Sequence, residues 1–264
     1  MEPIAVIDFE TTGMSPGHTC RATEIAAVIV EDGRIVARYQ NLMNSGAYVP
    51  PFIESLTGIS NAMLRKAPPA AEVMAEVAEF VGRTPLVAHN ASFDQKFWDA
   101  ELGLIQRQRV QDFACSMLLA RRLLPQAPNH KLGTLNSWAQ LPHTGQAHRA
   151  MADAEMAANL MLFMVAQLRE RHGVREISHG LLCRLQKVPA AKIAEALSKA
   201  RGELRTQALR QQHQTIGQLV AAVAGRQVLL EVRATALNAV EKPLQRLALL
   251  HLAGEGVDLC LPGA

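Results

Sequence analysis

Apolar positions gather into extended runs at 4–8, 24–33, 34–43, 86–89 and, more briefly, 109–113. Glu31-Asp32-Gly33, between the second and third runs, reads as a hairpin turn. The period then changes: Val73, Val77, Phe80 and Val81 share one face of a predicted helix over 70–82, and helical spacing returns at 92–103, 113–124, 132–140 and, most strongly, 149–168. A meander of strands followed by strands separated by helices predicts an α/β domain, a mixed sheet with helices on both faces.

After about residue 172 the pattern changes. Pro189 opens a helical stripe of Ile193, Leu197, Ala200 and Leu204, interrupted by Gly202, and Ile216, Leu219, Val220 and Val223 form a second stripe. Runs at 228–232 and 257–261 read as strands. This divides the chain into a domain over 1–172 and a smaller, mainly helical domain over 173–264. Gln218 to Ala222 begins like a sliding-clamp motif but lacks its bulky apolar end.

With 264 residues and 49% hydrophobic composition, the chain can bury a full α/β core plus an appendage, which excludes wholesale disorder. The acidic amino terminus and the shortness of the longest apolar run, 160–166, lead us to expect a cytoplasmic protein with no membrane partner. Cys20, Cys115, Cys183 and Cys260 are scattered without CxxC pairing, which suggests reduced thiols rather than zinc or disulfides. Charge is uneven: residues 1–172 hold 15 Lys and Arg against 17 Asp and Glu, whereas 173–264 hold 12 against 7, so the front is about −2 and the back about +5.

The chemistry is concentrated where strands end. Asp8 and Glu10, two apart, project from one side of the first strand at its carboxyl end, where open α/β sheets bind ligands, and no Lys or Arg stands in the stretch. Asp94 lies in the first turn of the helix after the 86–89 strand, a position a helix dipole alone would favour. His148, five residues before Asp153, belongs on the loop entering the last helix, since five helical residues would turn the two side chains apart. Four carboxylates and one histidine on a single sheet edge imply a hard cation, Mg²⁺ or Mn²⁺ rather than Zn²⁺. Paired cations of this kind serve in-line phosphoryl displacement.

Three motifs stand in order: Asp8-Phe9-Glu10-Thr11-Thr12-Gly13, His89-Asn90-Ala91-Ser92-Phe93-Asp94 and His148-Arg149-Ala150-Met151-Ala152-Asp153. With further matches at 54–60 and 129–141, residues 1 to about 170 resemble the DEDDh 3′-5′ exonucleases, among them the proofreading epsilon subunit of bacterial DNA polymerase III and its relatives. The resemblance implies an RNase H-like fold with a five-stranded mixed sheet whose second strand is antiparallel to the rest. It implies two ions, with Asp8 bridging both, Glu10 and Asp153 completing the site of the water-activating ion, Asp94 supporting the second ion and His148 acting as general base. It also implies that Thr11, Thr57, Gly58, Asn90 and Phe93 line the 3′-terminal nucleotide. Read without the resemblance, Thr11 continues a strand, Gly58 supplies a turn and Phe93 joins a core.

Asp112 is followed by Phe113 where relatives often carry Thr, which leaves Asp112 a strand-end residue rather than a ligand. Residues 173–264 depart from the linker and polymerase-binding tail of the epsilon subunit. The expectation is a metal-dependent exonuclease acting on single-stranded 3′ ends, with DNA ahead of RNA. RNA trimming by the same chemistry and a catalytically silent binding module are the alternatives. The basic back segment would tether the strand, dock a polymerase or self-associate.

Overall fold

The computed structural model describes residues 1–17, 19–142, 145, 148–202, 214–216, 218 and 221. Strands β1 (Ile4–Thr11), β2 (Ala22–Glu31) and β3 (Arg34–Leu42) form an antiparallel meander, and β4 (Leu86–Ala88) and β5 (Phe113–Cys115) add in parallel on the other side. The sheet order is β3-β2-β1-β4-β5, so β2 is the strand that runs against the rest, as expected. Asp32 and Gly33 take φ of 49° and 79°, the left-handed pair that a two-residue hairpin requires.

Helices α1 (Pro51–Thr57), α2 (Asn61–Leu64), α3 (Ala70–Val81), α4 (Ser92–Leu104), α5 (Ser116–Leu123), α6 (Leu132–Trp138), α7 (Ala150–Glu170) and α8 (His179–Leu185) follow in chain order. Alternation along β1 sends Ala5, Ile7 and Phe9 into a core completed by α3 and α4. Ile4 and Val6 enter the opposite core, completed by α5, α7 and α8. Buried alanines at 150, 152, 154, 157 and 158 let α7 lie close across β1 and β2. The continuation of the Ile4–Val6 row is Asp8 and Glu10, so both carboxylates emerge on the side that α7 covers.

Four features differ from the pattern-based expectation. The strand expected over 109–113 begins only at Phe113, because side chains hold the preceding residues in a loop: Arg109 pairs with Asp99, and Gln111 donates to the Gly82 carbonyl. The helix expected over 113–124 consequently starts at Ser116. Helices α1, α2 and α8 carried no clear period, being seven residues or fewer. Finally, the first compact unit runs Met1–Leu204, past the 172/173 boundary drawn from composition, because Val174, Ile177, Leu181, Leu182, Leu185, Leu197 and Ala200 all enter the α7-side core.

Residues 193–202 are helical, and Ile193, Leu197 and Ala200 pack on that core as their spacing implies. The second unit comprises Arg205–Ala264. Leu204, Leu219, Val220, Val223, Cys260 and the two strand-like runs lie outside the described residues, and Cys20, Cys115 and Cys183 are free thiols. Among the described residues no helix is long and apolar enough to cross a membrane.

The segment after α7 also finishes the sheet. Buried Gln186 accepts from the Cys115 N–H at 2.6 Å and donates to the Phe113 carbonyl at 3.0 Å, so one side-chain amide stands in for a sixth strand at the β5 edge. Gln186→Ala leaves a buried donor and acceptor unmet, and urea unfolding is expected to show a loss of about 1–3 kcal/mol. An unchanged midpoint would mean that water substitutes for the amide.

Candidate active site

The sheet's carboxyl end collects the acids. Asp8 and Glu10 come from β1, and Asp94 comes from the first turn of α4 with only 1% of its surface exposed. Asp153 comes from the first turn of α7, where its Oδ2 accepts from the His148 backbone N–H at 3.1 Å. His148 sits exposed in the loop before α7 with φ of 60°, as expected from its distance from Asp153. Ligand atoms of Glu10, His148 and Asp153 all lie within 4.8 Å of one another.

Electrostatics describe a site short of positive charge. Burial, reinforced by Asp94, Glu10, Asp153 and Glu24, holds the Asp8 carboxyl well above the usual range. Burial first, then Asp153, Glu24 and Asp94, pushes Glu10 up to about 8, against a downward pull from Arg149. Asp94 rises to about 8, chiefly through burial, although the Phe9 N–H donates to its Oδ1 at 3.2 Å. Burial also raises Asp153, opposed by the His148 N–H and the His148 charge.

These residues fit a hard divalent cation. Asp94 Oδ2 is buried with no hydrogen-bond partner, and a buried carboxylate oxygen left unmet costs several kcal/mol by a rough reckoning. The donor set is oxygen with one imidazole, which suits Mg²⁺ or Mn²⁺.

Pattern reading missed Glu24 and Arg149. Glu24 faces Glu10 across β1 and β2 and is 1% exposed. Both of its oxygens accept from Arg149, at 2.8 and 3.1 Å, one also accepts from the Ala150 N–H at 3.1 Å, and Gln40 donates at 2.8 Å. Arg149 is therefore committed to Glu24 rather than to Asp8 or Asp94. The pair clamps the residue next to His148 onto β2 and holds a non-glycine residue in a left-handed conformation. A glutamate in an otherwise apolar strand was the available signal, since a buried charge demands a partner.

His89 has a similar positioning role. The His130 carbonyl can only accept, so His89 Nε2 carries the proton and donates to it at 3.1 Å, leaving Nδ1 to accept from the Ser116 hydroxyl at 2.9 Å. Burial lowers His89 to about 4, which keeps this arrangement neutral and intact. It hangs the loop of His130 and Lys131 beside a cavity of about 840 Å³ that His148, Asp153, Asn90 and Arg121 also line.

The remaining sequence candidates surround the acids less directly. Thr11 donates to the Gly13 carbonyl at 2.6 Å. Thr57 is buried, donating to the Ile53 carbonyl and accepting from the Ile59 N–H, so its hydroxyl is already occupied within the fold. Gly58 ends α1 with φ of 72°. Asn90 is exposed with φ of 64°, and the Phe93 ring lies 5.0 Å from Phe97.

Comparison with known proteins is consistent with this geometry. Residues 5–161 match a family model described as Exonuclease. The 3′-5′ exonuclease DinG of Bacillus subtilis is 38% identical over 169 residues, covering 62% of this chain and 18% of that protein. A PolC-type DNA polymerase III of Oceanobacillus iheyensis is 36% identical over 181 residues, covering 68% of this chain and 12% of the polymerase. The chain thus spans less than a fifth of the length of either relative. Among solved structures, Exonuclease X in complex with 5′ overhanging duplex DNA superposes with a TM-score of 0.53 at 26% identity, covering 74% of this chain and 99% of that one. The nuclease domain of 3′hExo, a DEDDh family member, superposes at 0.55 with 18% identity, over 63% and 92% of the two chains.

The raised carboxyls fix the sign of a pH effect. A group whose folded pKa exceeds its unfolded value stabilises the fold below the unfolded value, and that contribution is lost as pH rises through the folded pKa. With Glu10 and Asp94 each near 8, thermal stability of the metal-free protein is expected to fall between about pH 5 and pH 8.5. Mg²⁺ or Mn²⁺ is expected to flatten this slope and to release protons on binding. A flat profile without metal would refute the electrostatic description.

Proposed function

The chain belongs to the exonuclease family, and from that membership we propose that it releases nucleoside 5′-monophosphates from single-stranded DNA 3′ ends with the help of two divalent cations. The observation that carries this reading is the convergence of Glu10, His148 and Asp153 within 4.8 Å, beside Asp8 and the unmet Asp94 oxygen. When bound, such cations lower the pKa of water and neutralise charge that develops on a phosphate.

The protein's own groups divide the remaining work. His148 takes the proton of the attacking water, the new bond joins that oxygen to phosphorus, and the bond from phosphorus to the 3′ oxygen of the preceding nucleotide breaks, that oxygen taking a proton from solvent to leave a 3′-hydroxyl. Asp153 holds the His148 backbone, and Glu24 with Arg149 holds the loop, so the imidazole is presented in one place. Asp8, Glu10, Asp94 and Asp153 would hold the cations through their carboxylate oxygens. Asn90 and Phe93, with Thr11 and Gly58, line the terminal nucleotide. Thr57 supports Gly58 by ordering the end of α1. DNA is the preferred substrate, because the relatives at 36% and 38% identity are a DNA polymerase III and a 3′-5′ exonuclease.

Matched DNA and RNA oligonucleotides with paired and mispaired 3′ ends, incubated with Mg²⁺ or Mn²⁺, test the reading directly. Chelator-sensitive release of monophosphates from unpaired DNA ends is expected. Faster trimming of RNA would transfer the assignment to an exoribonuclease, and strand binding without cleavage would leave a silent module.

Asp8→Ala is expected to abolish turnover and to leave the metal-free fold intact or slightly more stable, since one repelling carboxylate is gone. His148→Gln is expected to lower kcat about 10²- to 10⁴-fold with little change in metal affinity. An unchanged rate would return His148 to a structural role.

A further inference from the structure

One depression lies away from the acids. A cavity of about 420 Å³ opens among the ends of α5 and α7 and the 193–202 helix. Arg122, Arg171 and Arg201 line it together with His172, over an apolar floor that includes Leu197, and among the described residues no carboxylate lines it. None of the three arginines belongs to an ion pair among the described residues. Arg122 is held rigidly, Nε donating to the Val188 carbonyl and Nη1 to the Leu118 carbonyl, both at 2.7 Å. Arg201 has one weak partner, Ser198 at 3.5 Å. Gln167, also in the wall, has a buried Oε1 with no partner among the described residues.

The charge balance favours an anion. The carboxyl ends of α5 and α7 contribute roughly half a negative charge each, and three guanidiniums outweigh them. Such forks match phosphate geometry. One helix separates the two cavities: Arg121 lines that of His148 and Asp153, whereas its neighbour Arg122 lines this one. Asp153 and Arg171 lie 18 positions apart along α7 and just beyond its end, about 27 Å at 1.5 Å per residue. At the duplex rise of about 3.4 Å per phosphate that distance is about eight nucleotides, and fewer for an extended strand.

We propose that this arginine-lined cavity holds backbone phosphates of the substrate strand several nucleotides upstream of the 3′ end being trimmed. The proposal rests on the nuclease reading above. It answers a difficulty of that reading, because the acidic front is a poor collector of polyanion. It also replaces a diffuse basic appendage with a defined site, two of whose arginines, Arg122 and Arg171, come from residues 1–172.

The test uses the full-length protein and the double variant Arg171→Gln/Arg201→Gln, both exposed positions outside the acid cluster. KM and kcat are measured on single-stranded DNA of about 4 and about 20 nucleotides, at about 50 and about 200 mM salt. On the long substrate the variant is expected to show a raised KM, with a slope of log KM against log salt smaller by about 1.4, from about 0.7 per lost phosphate contact. On the short substrate KM and kcat are expected to stay as in the wild type. An equal KM rise on both lengths, or none on either, overturns the site. Anisotropy of a labelled long strand in chelator gives the same comparison without turnover, so an inactive enzyme would refute the nuclease reading while binding still decides this one. If inorganic phosphate or a 5′-mononucleotide removes the length-dependent affinity at low millimolar concentration, the cavity serves free phosphate and the strand proposal fails.

Discussion

The architecture is organised around one unfavourable fact: four carboxylates are crowded at the carboxyl end of β1 with no lysine or arginine among the described residues committed to them. Isolated buried charges of this kind would cost far more than any local packing returns. The protein keeps them close with raised pKa values and one unmet oxygen on Asp94. The four acids are carried by three rigid positions: Asp8 and Glu10 by β1, Asp94 by the start of α4 and Asp153 by the start of α7. The cluster cannot relax by spreading apart without breaking the sheet or moving a helix. A divalent cation bound among them would relieve that repulsion and so link metal affinity to the stability of the fold.

Around this centre the polar groups are satisfied at long range. Glu24 and Arg149 pair across 125 positions, and the same carboxylate accepts from the Ala150 N–H at the start of α7. Burying that pair adds little net stability in general, whereas breaking it leaves a charge stranded. Its value here is geometric, since it fixes the loop carrying His148 relative to β1. His89 acts in the same way on the opposite wall, fastening the His130 loop to β4 through a neutral ring.

The family match ends at residue 161, yet the first compact unit continues to Leu204. Residues 174–200 close the α7-side core, and Gln186 finishes the β5 edge. That explains why the segment cannot be a free linker. It also places Arg201 close enough to Arg122 and Arg171 to share one cavity.

The sequence alone determined what is local. Apolar extended runs and the Glu31-Asp32-Gly33 turn specified the meander, the i, i+2 spacing of Asp8 and Glu10 put them on one side of β1, and the five-residue spacing of His148 and Asp153 put the histidine on the loop before α7. These features survive because side-chain direction follows from backbone type within a few residues. Tertiary structure decided what depends on distant partners. Glu24 in a strand pattern could not announce Arg149, nothing near Gln186 indicated that its amide caps a strand more than 70 positions earlier, and the strand at Phe113 was displaced by bonds from Arg109 to Asp99 in α4 and from Gln111 to Gly82 at the end of α3. The sequence reading set residues 173–264 apart from the front, whereas Leu181, Leu182, Leu185 and Leu197 join the α7-side core, because hydrophobic burial is non-directional and a helical stripe does not say which surface will cover it.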